Sequence, residues 1–305
     1  MTRDQPVLRI RGLTKSYGDF RLGPLDLDLE PGRVLALVGP NGSGKTTTLH
    51  SAMGLTRGSA GRIEIAGRVN DPNDAEWRQH VGFVGEFQGF FRGWSVARNL
   101  ELIGRFYERW NPARAEALAR RFDLPLDKPA AALSRGTRTK LALVAALAHS
   151  PRLLLLDEPT QGLDPVVRAE LLDALWELME DGEHAVLYST HVLSDVSRLA
   201  DELAFLRDGR LVSRTRTDVL TDTWRRISFR FERLDVHLQG LDGAHTLRRR
   251  GNEYQAVSSD HVATGSHLEA LGATGVQMSR MTIDDITVEI LRRPEPEGSS
   301  HLRSV

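Results

Sequence analysis

Residues Gly39-Pro40-Asn41-Gly42-Ser43-Gly44-Lys45-Thr46 form the pattern G-x-x-x-x-G-K-[ST]. The apolar run Val34–Val38 precedes it, and a helix-compatible stretch, Thr46–Met53, follows, with Gly54 placed to end it. A buried strand that turns through glycines straight into a helix leaves few folds open. The strand belongs in a sheet covered by helices, and the loop lies at the sheet's edge. Glycine allows backbone conformations closed to other residues and lets N–H groups approach phosphate oxygens, while the helix N-terminus adds positive dipole. The pattern therefore implies a nucleoside triphosphate held by Gly39, Asn41, Gly42, Ser43, Gly44, Lys45, Thr46 and Thr47. Lys45 pairs with the β- and γ-phosphates, and the Thr46 hydroxyl sits on Mg²⁺.

The rest of the chain supplies strands and helices to go with that unit. Val7–Ile10, the alternating Leu25–Glu30 and Ile63–Gly67 read as strands, and Pro31-Gly32 turns the chain into Val34–Val38. Between about 95 and 150 the texture is helical, over Asn99–Trp110, Pro112–Phe122 and Thr137–His149. Apolar strands at Leu153–Leu156 and Ala185–Ser189 flank a helix at Pro165–Glu180, and a hairpin turns at Arg207-Asp208-Gly209. Strands alternating with helices imply a mostly parallel α/β core, here with an antiparallel N-terminal β subdomain and an α-helical insert. The first domain is read as 1–212. A small α+β appendage follows at 213–293, with alternation at Ile227–Phe231, a hairpin turning at Gly251-Asn252, and short helices at Ser266–Leu271 and Thr282–Leu291. Residues 294–305 are polar and read as a disordered tail.

Composition narrows the function classes. A formal net charge of −1 gives no bulk attraction to nucleic acid or to an anionic membrane. With no cysteine there is no disulfide framework, thiol catalysis or thiolate metal site. The longest apolar runs are far short of a spanning helix, and no signal-peptide apolar region opens the chain. The expected location is cytoplasmic, with any membrane role reached through a partner.

A second chemical site closes the run Leu153–Leu156, which ends in Asp157-Glu158. Four consecutive leucines need burial on both faces, so the two acids emerge at the sheet edge where ligands of open α/β sheets bind. Asp157 is placed to hold Mg²⁺ through water, and Glu158 to polarise an attacking water.

Leu133-Ser134-Arg135-Gly136-Thr137 lies shortly before these acids, and Pro159-Thr160-Gln161-Gly162-Leu163-Asp164-Pro165 follows them. With these motifs in this order, residues 6 to 212 resemble the ATP-binding subunit of ATP-binding-cassette transporters, a P-loop NTPase fold. The resemblance implies that Ser134 and Gly136, in a signature segment whose helix begins near Thr137, close on the nucleotide held by a second subunit. It implies further that Asp164 couples the two sites, that His191 contacts the γ-phosphate and that Tyr17 stacks on adenine. Arg135 departs from the family's glycine, so its side chain either points away from the phosphates or supplies them a cation. Glu86 departs from the family's glutamine and would hold Mg²⁺ or a water. Both departures, together with Met281–Ile286, resemble the branch that serves export permeases on separate chains. The aromatic stretch Phe87, Phe90, Phe91 and Trp94 lies where the family's cassettes receive a permease helix.

The expected function is an ATPase that binds ATP and Mg²⁺, with Lys45, Glu158 and His191 catalytic. It would power an exporter as a homodimer or heterodimer, bound to an integral-membrane permease at the inner face of the cell membrane, with no nucleic-acid partner. The alternative left open is a non-transport ATPase of the same family, or a regulatory module acting on a soluble partner through residues 213–305.

Overall fold

A computed structural model describes residues 5–56, 58, 60–193, 198–232 and 240–292, and the chain divides into two compact units, Met1–Val212 and Ser213–Val305. In the first unit, β1 (Leu8–Tyr17) and β2 (Phe20–Leu29) form an antiparallel hairpin from Leu8 opposite Leu29 to Tyr17 opposite Phe20. Strands β4 (Ala60–Ile65) and β5 (Arg68–Val69) extend it into a four-stranded sheet of order β2-β1-β4-β5. The alternation of leucine with aspartate along Leu25–Leu29 appears as buried leucines facing the core, with Asp26 exposed and Asp28 half-buried.

The second sheet of this unit carries the site. Its order is β10-β9-β3-β8-β7-β6, from β3 (Val34–Val38), β6 (Val81–Val84), β7 (Leu153–Asp157), β8 (Ala185–Thr190), β9 (Glu202–Arg207) and β10 (Arg210–Arg216). The ladders from β9 through β3, β8 and β7 to β6 are all parallel. Every residue of β3, β7 and β8 is buried, as strands covered on both faces require. Helix α1 (Lys45–Ala52) leaves β3, α4 (Arg135–Leu147) precedes β7, and α5 (Pro165–Met179) links β7 to β8.

The helical insert adds α2 (Val96–Gly104) and α3 (Pro112–Arg121) to α4, and the boundaries of α2 and α4 differ from the sequence expectation. Helix α2 starts three residues before Asn99, because the Ser95 hydroxyl accepts the Arg98 N–H at 3.2 Å and caps it. It ends at Gly104 rather than Trp110: a Cβ on Gly104 would lie 2.7 Å from the Trp110 Nε1, so the indole folds back over the helix end. Helix α4 begins at Arg135, not Thr137, and ends at Leu147, not His149.

His149 is fully buried just past α4, with Nε2 3.1 Å from the Val81 carbonyl and its ring stacked on Tyr107 at 3.8 Å. Burial pushes its pKa down from 6.5 to about 4. As pH falls through this window the unfolded chain takes up the proton first, so the folded state loses up to about 3 kcal/mol. His149→Gln is expected to flatten the loss of stability between about pH 6.5 and pH 4 in denaturant unfolding. An unchanged pH dependence would assign that loss to other groups.

The second unit is a four-stranded antiparallel sheet of order β12-β13-β11-β14, built from β11 (Arg225–Arg230), β12 (Ala244–Arg250), β13 (Glu253–Ser258) and β14 (Thr274–Arg280). Helices α6 (Thr217–Thr223), α7 (His261–Ala270) and α8 (Ile283–Leu291) accompany it. Its core joins Ile227, Phe229, Phe231, Tyr254, Ala256 and Leu268, with Phe229 stacked on Tyr254 at 5.4 Å. The hairpin turns at Gly251 and Thr282 caps α8, while β14 has no counterpart in the sequence expectation. The tail at 294–305 lies outside the described residues.

Candidate functional site

The turn from β3 into α1 is held by contacts that only glycine permits. A Cβ on Gly39 would come 2.2 Å from the Leu206 carbonyl oxygen of β9, and one on Gly44, at φ 109°, would strike Leu22 of β2 at 2.7 Å. Gly44 is also the N-cap of α1, so no side chain caps that helix and no acid sits in its first turn. Its first N–H groups point to an open rim where Pro40, Asn41, Gly42 and Thr46 are exposed. Behind the rim the Ser43 hydroxyl is buried without a hydrogen-bond partner among the described residues. A buried hydroxyl left unpaired costs about 1–3 kcal/mol, and a phosphate oxygen in this cradle would satisfy it. Lys45 is 5% exposed and its Nζ donates to the Gly39 and Pro40 carbonyls at 2.8 and 3.3 Å.

Register places the acids against that loop. Asp157 pairs with Ser189 across the β7–β8 ladder, and β8 lies beside β3. The Asp157 carboxylate, 1% exposed, accepts from the Ser189 hydroxyl at 2.5 Å and from the Thr46 hydroxyl at 3.1 Å, with the His50 Nε2 at 4.0 Å. Glu158 then turns out of the strand with φ 48°, a left-handed conformation rare for a residue with a side chain. Its N–H donates to the Ser189 carbonyl at 3.1 Å, which fixes that turn. Its carboxylate bridges two partners: Oε1 is 3.4 Å from the Lys45 Nζ, and Oε2 accepts from the His191 Nδ1 at 2.8 Å. Lys45, Thr46, Asp157, Glu158 and His191 are thus one bonded cluster at the C-terminal edge of the sheet.

The remaining expected residues lie elsewhere. Tyr17 ends β1 with its ring 46% exposed and the Lys15 ammonium 4.9 Å above it, on the hairpin whose Leu22 touches Gly44. Ser134 is the N-cap of α4: its hydroxyl accepts the Thr137 N–H at 3.1 Å, which is why the helix begins two residues earlier than expected. Both Ser134 and Asp164 are exposed, and Asp164 caps α5 by accepting from Val166 and Val167 at 3.0 and 3.1 Å. Gly136 packs toward α5, where an added Cβ would meet Val167 at 3.4 Å. Arg135 reaches along its own chain to Gln161, at 3.4 Å, and stands over Gly162. Glu86 lies exposed beyond β6 and makes no hydrogen bond or ion pair among the described residues.

Sequence reasoning missed Ser189, which orients both acids, and His50, which faces Asp157 from α1. The available signal was positional: Ser189 ends the neighbouring apolar strand and so reaches the same sheet edge. Sequence reasoning also missed Tyr188, whose hydroxyl pairs with Thr160 at 3.1 Å beneath the acids and whose pKa burial raises.

Among the described residues no group of three or more His, Cys, Asp or Glu side chains could hold a metal alone. One carboxylate and one hydroxyl, Asp157 and Thr46, fit Mg²⁺, which takes few protein ligands and completes its shell with phosphates and water. Among the described residues no helix is long and apolar enough to cross a membrane.

Residues 22–161 match the family model for the ABC transporter. The chain is 33% identical over 223 residues to Nod factor export ATP-binding protein I of Cupriavidus metallidurans, covering 71% of this chain and 73% of that protein. It is 32% identical over 265 residues to the ABC transporter ATP-binding protein YdbJ of Bacillus subtilis, at 84% and 82% coverage. It is 37% identical over 220 residues to the daunorubicin resistance ATP-binding protein DrrA3 of Streptomyces coeruleorubidus, at 70% and 69% coverage. Among solved structures, an ATP-binding subunit of an ABC transporter superposes with TM-score 0.65 at 28% identity, covering 71% of this chain and 92% of that one. A dimeric ATP-binding cassette in a post-hydrolysis state, bound to ADP and Pi, superposes with TM-score 0.61 at 25% identity, covering 69% and 98%.

Proposed function

The chain belongs to the ABC transporter ATP-binding proteins, a family of ATPases, and on that premise we propose that it is the motor subunit of an exporter. The observation that carries the reading is the bonded cluster of Lys45, Glu158 and His191 beside Asp157 and Thr46. The N–H groups of residues 41–47 and the Ser43 hydroxyl bind the phosphates of ATP, with Gly39 opening the loop. Lys45, now shared between loop carbonyls and Glu158, moves its charge onto the β- and γ-phosphates. Glu158 is then free to orient a water in line with the γ-phosphate and to take its proton. His191, already hydrogen-bonded to Glu158, holds that carboxylate in place and faces the same phosphate. Mg²⁺, held by Thr46 and Asp157, would supply charge neutralisation on the phosphates. Catalysis on this reading is positioning and electrostatics.

Ser134 and Gly136 belong to an exposed helix start outside the Lys45 cluster, which supports their acting on the nucleotide of a second subunit. A similar cassette that is dimeric with ADP and Pi bound supports the pairing of two subunits. Asp164, beside them at the start of α5, and Tyr17, with its open ring, take the coupling and adenine-stacking roles. Glu86, exposed beyond β6, is assigned a contact to Mg²⁺ or a water. Export as the direction of transport is supported by relatives named for Nod factor export and daunorubicin resistance.

The partner is an integral-membrane permease on a separate chain, which places this subunit at the cytoplasmic face of the membrane. Phe87 and Phe91 are 88% and 54% exposed, and Phe91 stacks on Trp94 at 4.6 Å. The buried Asn99 ties this loop down through bonds to the Phe91 N–H and carbonyl at 2.8 and 3.2 Å. Apolar rings presented on a braced loop suit capture of a permease helix. Phe91→Glu is expected to abolish co-purification with a membrane partner while leaving ATP binding intact. Undiminished co-purification would remove this loop from the contact, and absence of any membrane partner in the wild-type pull-down would favour an ATPase acting on a soluble target.

A further inference from the structure

None of the residues assigned above lies in the second unit, and the sheet of that unit has one face that the ATPase reading leaves unused. Strand alternation turns Ile227, Phe229, Tyr254 and Ala256 toward the core they share with Leu268 of α7. The alternate positions share the opposite face: Arg226 stands opposite Val257, Val257 opposite Thr246, and Gln255 opposite Arg248. With Glu289 of α8, these residues line a cavity of about 250 Å³.

The charges of this cavity are unevenly satisfied. Its one carboxylate, Glu289, is already neutralised, accepting from the Thr246 hydroxyl at 2.5 Å and from the Arg292 guanidinium at 3.0 Å. Arg226 forms an ion pair with Asp285 at 3.6 Å, too long for a hydrogen bond, so its N–H donors remain available while its charge is partly balanced. The side chains of Arg248 and Gln255 make no hydrogen bond or ion pair among the described residues. Two guanidinium groups and one carboxamide thus line a polar cavity with donors to spare. A guanidinium is a fixed fork that matches the paired oxygens of a carboxylate or phosphate and cannot give up its charge at physiological pH. The volume falls just below the usual range for drug-sized ligands and admits a molecule of a few heavy atoms. We infer that the second unit binds a small oxyanion here, either free phosphate or a small metabolite bearing a phosphate or carboxylate, held by Arg226, Arg248 and Gln255.

The test uses the full chain with its phosphate loop saturated by MgADP, at fixed chloride, titrated calorimetrically with inorganic phosphate and separately with succinate. The expected result is saturable binding of at least one probe, with one site per chain. Saturation by phosphate assigns a phosphate-bearing ligand, and saturation by succinate a carboxylate. Arg248→Gln, at an exposed position on the edge strand, is expected to weaken binding about tenfold or more, as loss of a charge-assisted bond should. Arg250→Gln removes the same charge from the same strand outside the cavity and is expected to leave affinity unchanged. No saturable binding of either probe, or equal weakening by the two substitutions, would overturn the site. Neither result bears on the ATPase reading.

Discussion

Glu158→Gln is expected to bind MgATP with near-normal affinity and to turn it over about 10²–10⁴-fold more slowly. The replacement is isosteric, so the left-handed turn at position 158 and its N–H bond to the Ser189 carbonyl persist. Two things change. The side chain can no longer take a proton from water. Its amide can also accept from only one of the Lys45 ammonium and the His191 N–H, which the carboxylate now bridges at 3.4 and 2.8 Å, because its nitrogen would present a donor to the other. Affinity measured by direct titration and rate measured by phosphate release separate these effects from loss of binding. Turnover within a few-fold of wild type would remove Glu158 from the role of base.

Lys45→Ala is expected to act earlier, on binding itself. The ammonium is nearly fully buried and already desolvated, so transferring its bonds from Glu158 and the loop carbonyls to phosphate needs little reorganisation. Its loss removes a charge-assisted bond to the phosphates and leaves Glu158 without its cationic partner in the same pocket. Nucleotide affinity should fall about tenfold or more. Turnover should fall about 10²–10³-fold, the scale of losing one preorganised donor to a reacting group. A variant with unchanged affinity and rate would show that the nucleotide is held elsewhere.

The core of this site was legible because its signals are local. Gly39–Thr46 carry their glycines, cation and hydroxyl in eight consecutive residues, and Leu153–Glu158 announce a buried strand with acids at its end. What brings the two together is not local. The strand order β3-β8-β7 places a third strand between them, and Ser189 on that strand is the residue that bonds both acids. Helix starts were misjudged where a serine caps. The start of α4 is expected at Thr137, but Ser134 accepts the Thr137 N–H as N-cap and draws Arg135 and Gly136 into the first turn. Strand β14 escaped notice because only Val276 and Met278 carry an apolar alternation, too short a run to mark a strand, as suits an edge strand exposed along most of its length. The side-chain direction of Arg135 was open from sequence, and it runs to Gln161 and Gly162 of its own chain.

In the proposed mechanism ATP is hydrolysed in a site shared by two subunits, with Lys45 and Glu158 from one chain and Ser134 and Gly136 from the other. The most direct measurement is ATP turnover per subunit as the protein is diluted through its monomer–dimer transition, with the transition itself followed by sedimentation. Turnover per subunit is expected to fall with the dimer fraction and nearly to vanish for the monomer. Turnover per subunit that stays constant across the transition would contradict the shared site.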